Sequence, residues 1–242
     1  MKKNTVKITN FQLKTAQIIS DKYEVVSKLG SGWEGEVYKI REMRTGIERA
    51  AKLFFPQRNI NHKASCFYAR KLHKLRKCQI LIQYHTEETL YFDGLPITML
   101  VSEYVEGQLL SDFVRSFPGK KLTPFQALHL LYSLVKGIED IHLLNEYHGD
   151  LHSDNVIVNR FGLYFELKLL DMFHWSSPSK ANREDDLCEL IHIFYDSLGG
   201  AKYYSKFPQE IKKICCGLKK GLILKKFRTV SQLREYLETM KW

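Results

Sequence analysis

The chain has 242 residues, of which 44% are hydrophobic and 12% aromatic, which is enough apolar material for a folded core and excludes a disordered chain. A formal charge of +10 favours anionic partners such as nucleotides, but the excess lies largely in separated lysine pairs, so nucleic acid is not indicated beyond the charge itself. The five cysteines include no C-x-x-C pair and no segment approaches about 20 consecutive apolar residues, so the sequence predicts no disulfide framework and no membrane span. The sequence therefore predicts a cytoplasmic location, and secretion into another cell remains an alternative.

The first half of the chain is predicted to be a β-sheet with one helix. Apolar and polar residues alternate on both sides of a glycine cluster, and further β-branched and aromatic runs follow it. The predicted elements are two strands over 23–40, a strand over 48–55, a helix over 61–77, and three short strands over 79–104 that are broken at 85–86 and at 93–94.

After Gly107 the apolar spacing changes to a helical period. Thr123 is the predicted N-cap of a long helix, with Pro124 at its first position and Gln126 able to complete a capping box. Thr229 begins the last helix with the same pattern. The other predicted elements are strands over 155–159 and 165–170 around a turn at Gly162, and helices that begin near Asp185 and Glu210.

A glycine-rich stretch, Gly30-Ser-Gly-Trp-Glu-Gly35, matches G-x-G-x-x-G, which two unrelated folds use. A dinucleotide fingerprint must open a helix, whereas the residues after Gly35 are typical of a strand. In that setting the glycines let backbone amides close over phosphates, and an ordinary glycine-rich hairpin is the alternative. Lys52 lies one strand later, where it could reach the same phosphates. Residues 100–107 form a connector whose backbone groups could bind an adenine edge.

A second stretch, YHGDLHSDNVIVN over residues 147–159, permits two interpretations. In the first, four side chains form a metal cluster like those of hydrolases. In the second, one aspartate handles a proton while an asparagine five residues later holds magnesium. Oxygen ligands suit magnesium and a histidine cluster would suit zinc, and this stretch contains both kinds of side chain, so the two interpretations stay open at this point. The four residues of the alternative cluster are His148, Asp150, His152 and Asp154.

In the order and spacing of these motifs, the chain from Tyr23 onward resembles the protein-kinase-like superfamily. The HGDLH loop is similar to that of aminoglycoside and choline phosphotransferases and of some small bacterial Ser/Thr kinases. The resemblance implies an α+β, two-lobed fold with a small β-sheet N-lobe that carries one helix and a mainly helical C-lobe. It implies an N-terminal extension over 1–22, an N-lobe over 23–105 and a C-lobe over 106–242.

The resemblance also implies the cofactors ATP and Mg²⁺ and a set of site residues. Asp150 would accept the proton of the attacking hydroxyl, with Lys52 and His152 as further catalytic residues, and Asn155 and Asp171 would hold the metal. Asp186 would brace the catalytic loop. The implied nucleotide-binding residues are Gly30, Ser31, Gly32, Trp33, Gly35, Val37, Ala50, Lys52, Glu103 and Val105.

The chain departs from the family pattern in two places. No Asp or Glu occurs from Leu53 to Thr86, and Tyr68 stands where the helix glutamate that pairs with the strand lysine is expected. Lys52 is therefore predicted to have no ionic partner on that helix. Phe173 replaces the glycine of the metal-binding triplet, and the segment between Asp171 and the next helix is short.

Three functions remain open from the sequence. The first is an ATP- and magnesium-dependent kinase of Ser or Thr hydroxyls in proteins. The HGDLH loop and the short segment after Asp171 favour a small-molecule phosphotransferase, so the acceptor is a protein or a small hydroxyl compound. The missing helix glutamate favours a nucleotide-binding pseudokinase scaffold.

Overall fold

The structure, a computed structural model, describes residues 7–162, 164–172 and 176–241. The chain divides into two compact units, of which the first comprises the residues up to Arg76 together with Ile82–Val105. The second comprises Lys77–Leu81 and the chain from Glu106 onward. The first unit is built on a β-sheet and the second is mainly helical, so the predicted α+β class is confirmed.

The first unit is a six-stranded antiparallel sheet in the order β1-β2-β3-β4-β6-β5, with one α-helix. The prediction of three strands over 79–104 is wrong, because the structure has two strands there. The break predicted at His85 is a register shift between Tyr84 and Thr86 inside a single strand, since a bulge bends a strand without ending it. The elements are β1 Ile18–Ile19, β2 Tyr23–Ser31, β3 Gly35–Glu42, β4 Glu48–Phe54, α1 Lys63–Lys74, β5 Tyr84–Phe92 and β6 Leu95–Glu103.

The two faces of this sheet differ in what they carry. Successive side chains of a strand point to opposite faces, so β4 sends Ala51 and Leu53 to one face and Lys52 to the other. The first face is buried in one apolar cluster and the second carries the lysine. The central residues of the cluster are Tyr38, Ile40, Ala51, Leu53, Ile97, Met99 and Val101.

The segment before β2 packs on the apolar face. The ring of Phe11 stacks on Phe55 at 5.4 Å between centroids and meets Phe92 edge-on at 5.3 Å. The amide of Phe11 donates to Oε2 of the buried Glu36 at 3.1 Å, and the Tyr38 hydroxyl donates to the same oxygen at 2.6 Å. The described part of this segment therefore supplies both apolar and polar contacts to the first unit.

The second unit combines helices with a three-stranded antiparallel sheet in the order β7-β8-β9. Its long helix α3 begins as predicted, because Thr123 accepts from the Gln126 amide and the Gln126 side chain accepts from the Thr123 amide. The elements are β7 Gln108–Leu109, α2 Leu110–Arg115, α3 Pro124–Leu143, β8 Val156–Phe161, β9 Tyr164–Leu169, α4 Lys180–Ser197, α5 Ala201–Tyr204, α6 Gln209–Cys215, α7 Lys220–Lys226 and α8 Val230–Thr239.

The start of α4 differs from the prediction. The helix begins at Lys180, more than a turn before Asp185, because Ser179 and Asn182 form a second capping box. This extra turn places Asp186 and Glu189 in the interior of the helix, where their side chains have fixed directions. None of the described helices is both long enough and apolar enough to cross a membrane.

Candidate active site

The face of the sheet opposite the apolar cluster brings several predicted nucleotide-binding residues together. Gly30 of β2 lies opposite Val37 of β3, and Val37 lies opposite Lys52 of β4. Directly opposed residues of an antiparallel pair point to the same side, and Ala50 joins them because it lies two residues from Lys52. Small and apolar residues of three strands therefore lie side by side on this face, next to the ammonium group of Lys52.

The three glycines of the loop meet different surroundings. A Cβ atom at Gly35 would lie 1.9 Å from the carbonyl oxygen of Leu53, so only glycine allows β3 to approach β4 this closely. Gly30 and Gly32 have open space at the equivalent position. The hairpin is closed by the Gly32 amide, which donates to the Gly35 carbonyl at 2.9 Å. Gly35 is therefore required by the sheet itself, while the space over Gly30 and Gly32 can admit another group.

Lys52 has a carboxylate partner that the sequence did not predict. Its Nζ lies 3.0 Å from Oε2 of Glu34, in the glycine-rich loop, with both side chains 14% exposed. The same Nζ lies 4.7 Å from the ring centroid of Tyr68, so α1 contributes a cation–π contact where a glutamate was expected. Helix α1 contains no acidic residue, as the sequence predicts, and the carboxylate beside Lys52 belongs to the glycine-rich loop instead.

Four other predicted residues lie at the ends of strands or just beyond them. Ser31 and Trp33 are exposed in the loop, and the Arg58 guanidinium carbon lies 4.0 Å from the Trp33 ring centroid. Glu103 ends β6, and its amide donates to the Gln83 carbonyl at 2.9 Å. Val105, two residues after the end of β6, is half-buried.

In the second unit, the backbone of the HGDLH loop is fixed by Asp186. The carboxylate is fully buried in α4, and its two oxygens accept from the amides of His148 and Gly149, each at 2.7 Å. His142 of α3 also contacts this carboxylate, with Nε2 2.9 Å from Oδ2. Gly149 has a φ of 82°, a conformation that glycine adopts without strain. One helix side chain therefore sets the direction in which the loop leaves α3.

Asp150 and Asn155 are held together at the end of this loop. The side-chain nitrogen of Asn155 donates to the backbone oxygen of Asp150 at 2.9 Å and to its carboxylate Oδ2 at 3.1 Å. Asn155 is buried, whereas the Asp150 side chain is 57% exposed. The loop thus presents a carboxylate to solvent while an amide fixes its orientation.

The two predicted metal ligands are linked through the backbone. The Leu170 amide donates to the Asn155 carbonyl at 2.9 Å, which brings the next residue, Asp171, beside the asparagine. Asp171 has a φ of 48°, a conformation rare for residues with side chains and better tolerated by aspartate than by most. Because the Asn155 nitrogen donates to Asp150, its amide oxygen is the side-chain atom that could bind a metal. Two hard oxygen donors suit magnesium. Phe173 lies outside the described residues.

The alternative zinc cluster is not formed. His148 is buried and its Nδ1 accepts from the Asp150 amide at 3.3 Å, whereas His152 is exposed, with Nε2 3.8 Å from the Asp150 carboxylate. Within residues 7–162, 164–172 and 176–241, no group of three or more His, Cys, Asp or Glu side chains has the arrangement of a metal site. The described residues therefore favour the proton-transfer interpretation of this loop over the metal-cluster interpretation.

A second carboxylate of α4, Glu189, contacts the same loop. Its Oε2 accepts from the Leu151 amide at 3.1 Å, one helical turn beyond Asp186. Burial raises the pKa of Glu189 to about 7, and the carboxylates of Asp186 and Asp150 add to the effect against the opposing Leu151 hydrogen bond. The sequence analysis missed this residue, although the spacing of three between Asp186 and Glu189 on a helix indicates a shared face.

Glu189 predicts a specific dependence of stability on pH. Its folded pKa lies above the unfolded value, so the folded protein keeps the proton while the unfolded chain loses it. This contribution lowers the free energy of unfolding as the pH rises from about 4.5 to about 7, and it is constant above that range. We expect Glu189→Gln to gain stability relative to wild type across this range. Urea unfolding at about pH 5 and pH 8 measures the difference.

The matched control for this prediction is Glu184→Gln, an equal change of charge on the same helix at a residue that pairs with Lys180 at 3.5 Å. The difference between its free energy of unfolding and that of wild type should be the same at about pH 5 and pH 8. A Glu189→Gln variant whose stability difference is equal at both pH values contradicts the assignment.

Residues 23–197 match the protein kinase domain family. The chain belongs to the protein kinase family. The kinase domain of Mycobacterium tuberculosis PknI is similar to it in fold, with 16% sequence identity, a TM-score of 0.65, and coverage of 93% of this chain and 98% of that chain. The predicted two-lobed kinase-like fold is thereby confirmed.

Two relatives of this kinase-family chain are longer proteins. A probable serine/threonine-protein kinase of Streptomyces coelicolor is 28% identical over 156 residues, which are 63% of this chain and 22% of the relative. An Aurora kinase of Yarrowia lipolytica is 24% identical over 194 residues, which are 77% of this chain and 48% of the relative. The chain thus spans less than half the length of these two curated relatives.

Proposed function

We propose that the chain is an ATP- and magnesium-dependent protein kinase that transfers the γ-phosphate of ATP to Ser or Thr hydroxyls. The observation that carries this proposal is the HGDLH loop. Its amides are bound by the Asp186 and Glu189 carboxylates, and it presents the exposed Asp150 carboxylate while Asn155 fixes that group. Such an arrangement suits phosphoryl transfer, in which the protein mainly positions groups and supplies charge.

Four side chains of the second unit have defined roles in this proposed reaction. Asp150 accepts the proton of the acceptor hydroxyl as its oxygen forms the new bond to phosphorus and ADP leaves with the electrons of the broken bond. The Asn155 amide oxygen and the Asp171 carboxylate would hold magnesium, which neutralises charge on the phosphates. His152, whose Nε2 lies 3.8 Å from the Asp150 carboxylate, places an imidazole beside the base.

The first unit supports nucleotide binding through the row from Gly30 to Lys52. The glycine positions leave room for a ligand near the backbone, and Lys52 supplies a cation to phosphate oxygens. The connector residues Glu103 and Val105 would receive the adenine edge. The Glu34 carboxylate also weakens the argument for a scaffold, because Lys52 has a counter-charge without the helix glutamate.

A small-molecule phosphotransferase is the second candidate. The observation that favours it is the short connection from Asp171 to the start of α4 at Lys180, since a longer segment would offer more surface to a peptide. A protein acceptor is favoured over it by the named relatives, which are serine/threonine-protein kinases and an Aurora kinase.

The test is phosphate transfer from labelled ATP with magnesium to generic protein acceptors and, in parallel, to a panel of aminoglycosides and choline. We expect label on serine or threonine of protein and none in an Asp150→Asn control. Label on small hydroxyl compounds alone would favour the second candidate. Nucleotide binding without any transfer would favour the scaffold. A chain that binds and transfers nothing overturns the proposal.

Asp171 predicts how nucleotide binding depends on the metal. If its carboxylate is the main protein ligand, Asp171→Ala should bind ATP with the same affinity in magnesium and in EDTA, whereas wild type binds more tightly with magnesium. Isothermal titration calorimetry measures both affinities. Asp154→Ala, at an exposed position in the loop that carries Asp150, is the matched control and should keep the magnesium dependence. An Asp171→Ala variant with full magnesium dependence would remove Asp171 from the metal site.

We also propose that the protein acts in a reducing compartment such as the cytoplasm. All five cysteines are free thiols, and burial raises the pKa of the Cys215 thiol to about 12, which keeps it protonated.

A further inference from the structure

The tip of the glycine-rich loop contacts its own unit at three points. The Glu34 carboxylate contacts Lys52 of β4, and the Glu34 carbonyl accepts from the Phe55 amide at 2.9 Å. Next to it, the Trp33 ring lies against the Arg58 guanidinium, with 4.0 Å between the ring centroid and the guanidinium carbon. Two neighbouring loop residues are therefore each held by a cation of the same unit.

The contact between Glu34 and Lys52 is enclosed. Both side chains are 14% exposed, and Lys52 Nζ also lies 4.7 Å from the Tyr68 ring centroid and 5.4 Å from that of Phe54. Because α1 contains no acidic residue, Glu34 supplies a negative charge that the helix cannot supply. A pair shielded in this way is screened by solvent less than an exposed one.

The proposed function assigns the same ammonium and the same loop to the phosphates of ATP. A carboxylate and a polyphosphate are both anions, so they repel each other when they approach one cation. We propose that Glu34 is the internal counter-ion of Lys52 in the nucleotide-free protein, and that the phosphates replace it when nucleotide binds. Glu34 is thus a positioning residue, which orients Lys52 and holds the loop closed until nucleotide arrives. This inference rests on the proposed function.

A counter-ion that must leave lowers the apparent affinity for nucleotide. Only the fraction of molecules in which Glu34 has released Lys52 can bind, and the apparent dissociation constant rises by the inverse of that fraction. Glu34→Gln keeps the size of the side chain but removes its charge, so the variant should bind ATP and ADP more tightly. A competent fraction of about one tenth corresponds to a Kd lower by about tenfold.

The experiment compares calorimetric Kd values of magnesium ATP and magnesium ADP for wild type, Glu34→Gln and Asp93→Asn. Asp93 lies in the exposed turn between β5 and β6, so its substitution changes the net charge equally away from the loop, and asparagine tolerates its φ of 48°. We expect tighter binding only for Glu34→Gln. If that variant binds more weakly than wild type, or with equal affinity, the counter-ion exchange is wrong although the proposed function stands. A wild type that binds neither nucleotide overturns both.

A second measurement tests the pair without nucleotide. We expect Glu34→Gln to lower the urea midpoint of wild type but to leave unchanged or raise that of Lys52→Met, in which the enclosed carboxylate no longer has the ammonium beside it. An equal shift in both backgrounds would mean that Glu34 does not pair with Lys52 in solution, and it would overturn the inference by itself.

Discussion

Asp150→Ala is expected to lower turnover by about 10²–10⁴-fold while it leaves nucleotide affinity close to that of wild type. The proposed role of the carboxylate is to accept a proton during transfer, so its loss affects the transition state more than the ground state. Asp150 lies in the HGDLH loop of the second unit, whereas the row from Gly30 to Lys52 belongs to the first. The measurement is kcat and the ATP Kd on the same preparation.

Asp154→Asn is the control for this prediction, since it removes a carboxylate from the same loop at an exposed position. Asp150→Asn is the second test variant, because it keeps the shape of the side chain that Asn155 contacts at 3.1 Å. We expect low kcat in both Asp150 variants and nearly normal kcat in the control. If Asp150→Asn turns over like wild type, another group accepts the proton.

Asp186→Ala is expected to have the largest effect on stability. The fully buried carboxylate accepts two amide hydrogen bonds at 2.7 Å and contacts His142 at 2.9 Å. Its removal leaves the amides of His148 and Gly149 without their acceptor, and each unsatisfied donor costs about 1–3 kcal/mol. Because these amides fix the loop that carries Asp150, activity should fall as well. Urea unfolding gives the free-energy difference.

Asp185→Ala is the matched control, one residue away on the same helix. Asp185 is about half exposed and contacts Lys220 at the surface, so its removal should change stability by less than about 1 kcal/mol. Asp186→Asn covers the case in which the alanine variant does not fold, since it is nearly isosteric and retains one acceptor oxygen. If Asp186→Asn and Asp185→Ala are equally stable and active, Asp186 does not hold the loop.

The sequence correctly predicted the elements that are specified by residues close together in the chain. The capping box of Thr123 and Gln126 lies within four residues, and the alternation of β3 and β4 defines which side of the sheet Lys52 faces. The interpretation of the HGDLH loop came from its resemblance to the kinase-like superfamily, which rests on the order and spacing of a few nearby residues. The structure holds Asp150 and Asn155 together through one side chain.

The missed features depend on contacts that spacing does not encode. Glu34 and Lys52 are 18 residues apart, and their contact depends on how the loop bends over the sheet. The bulge at Tyr84 resembles a strand end in sequence, because both place polar residues together. Ser179 and Asn182 carried a capping signal that the apolar pattern nearby obscured, so the start of α4 was placed too late.

Phe11 lies before the first residue that matches the kinase family, yet it packs in the core of the first unit. The match to the protein kinase domain begins at residue 23, yet the ring of Phe11 packs against Phe55 and its amide binds Glu36. A chain shortened to start at that boundary would expose aromatic surface on the sheet and deprive a buried carboxylate of one donor. A shortened chain that keeps these contacts must therefore begin at or before residue 8, whose side chain is buried in the same cluster, so the limits of sequence similarity are a poor guide for truncation.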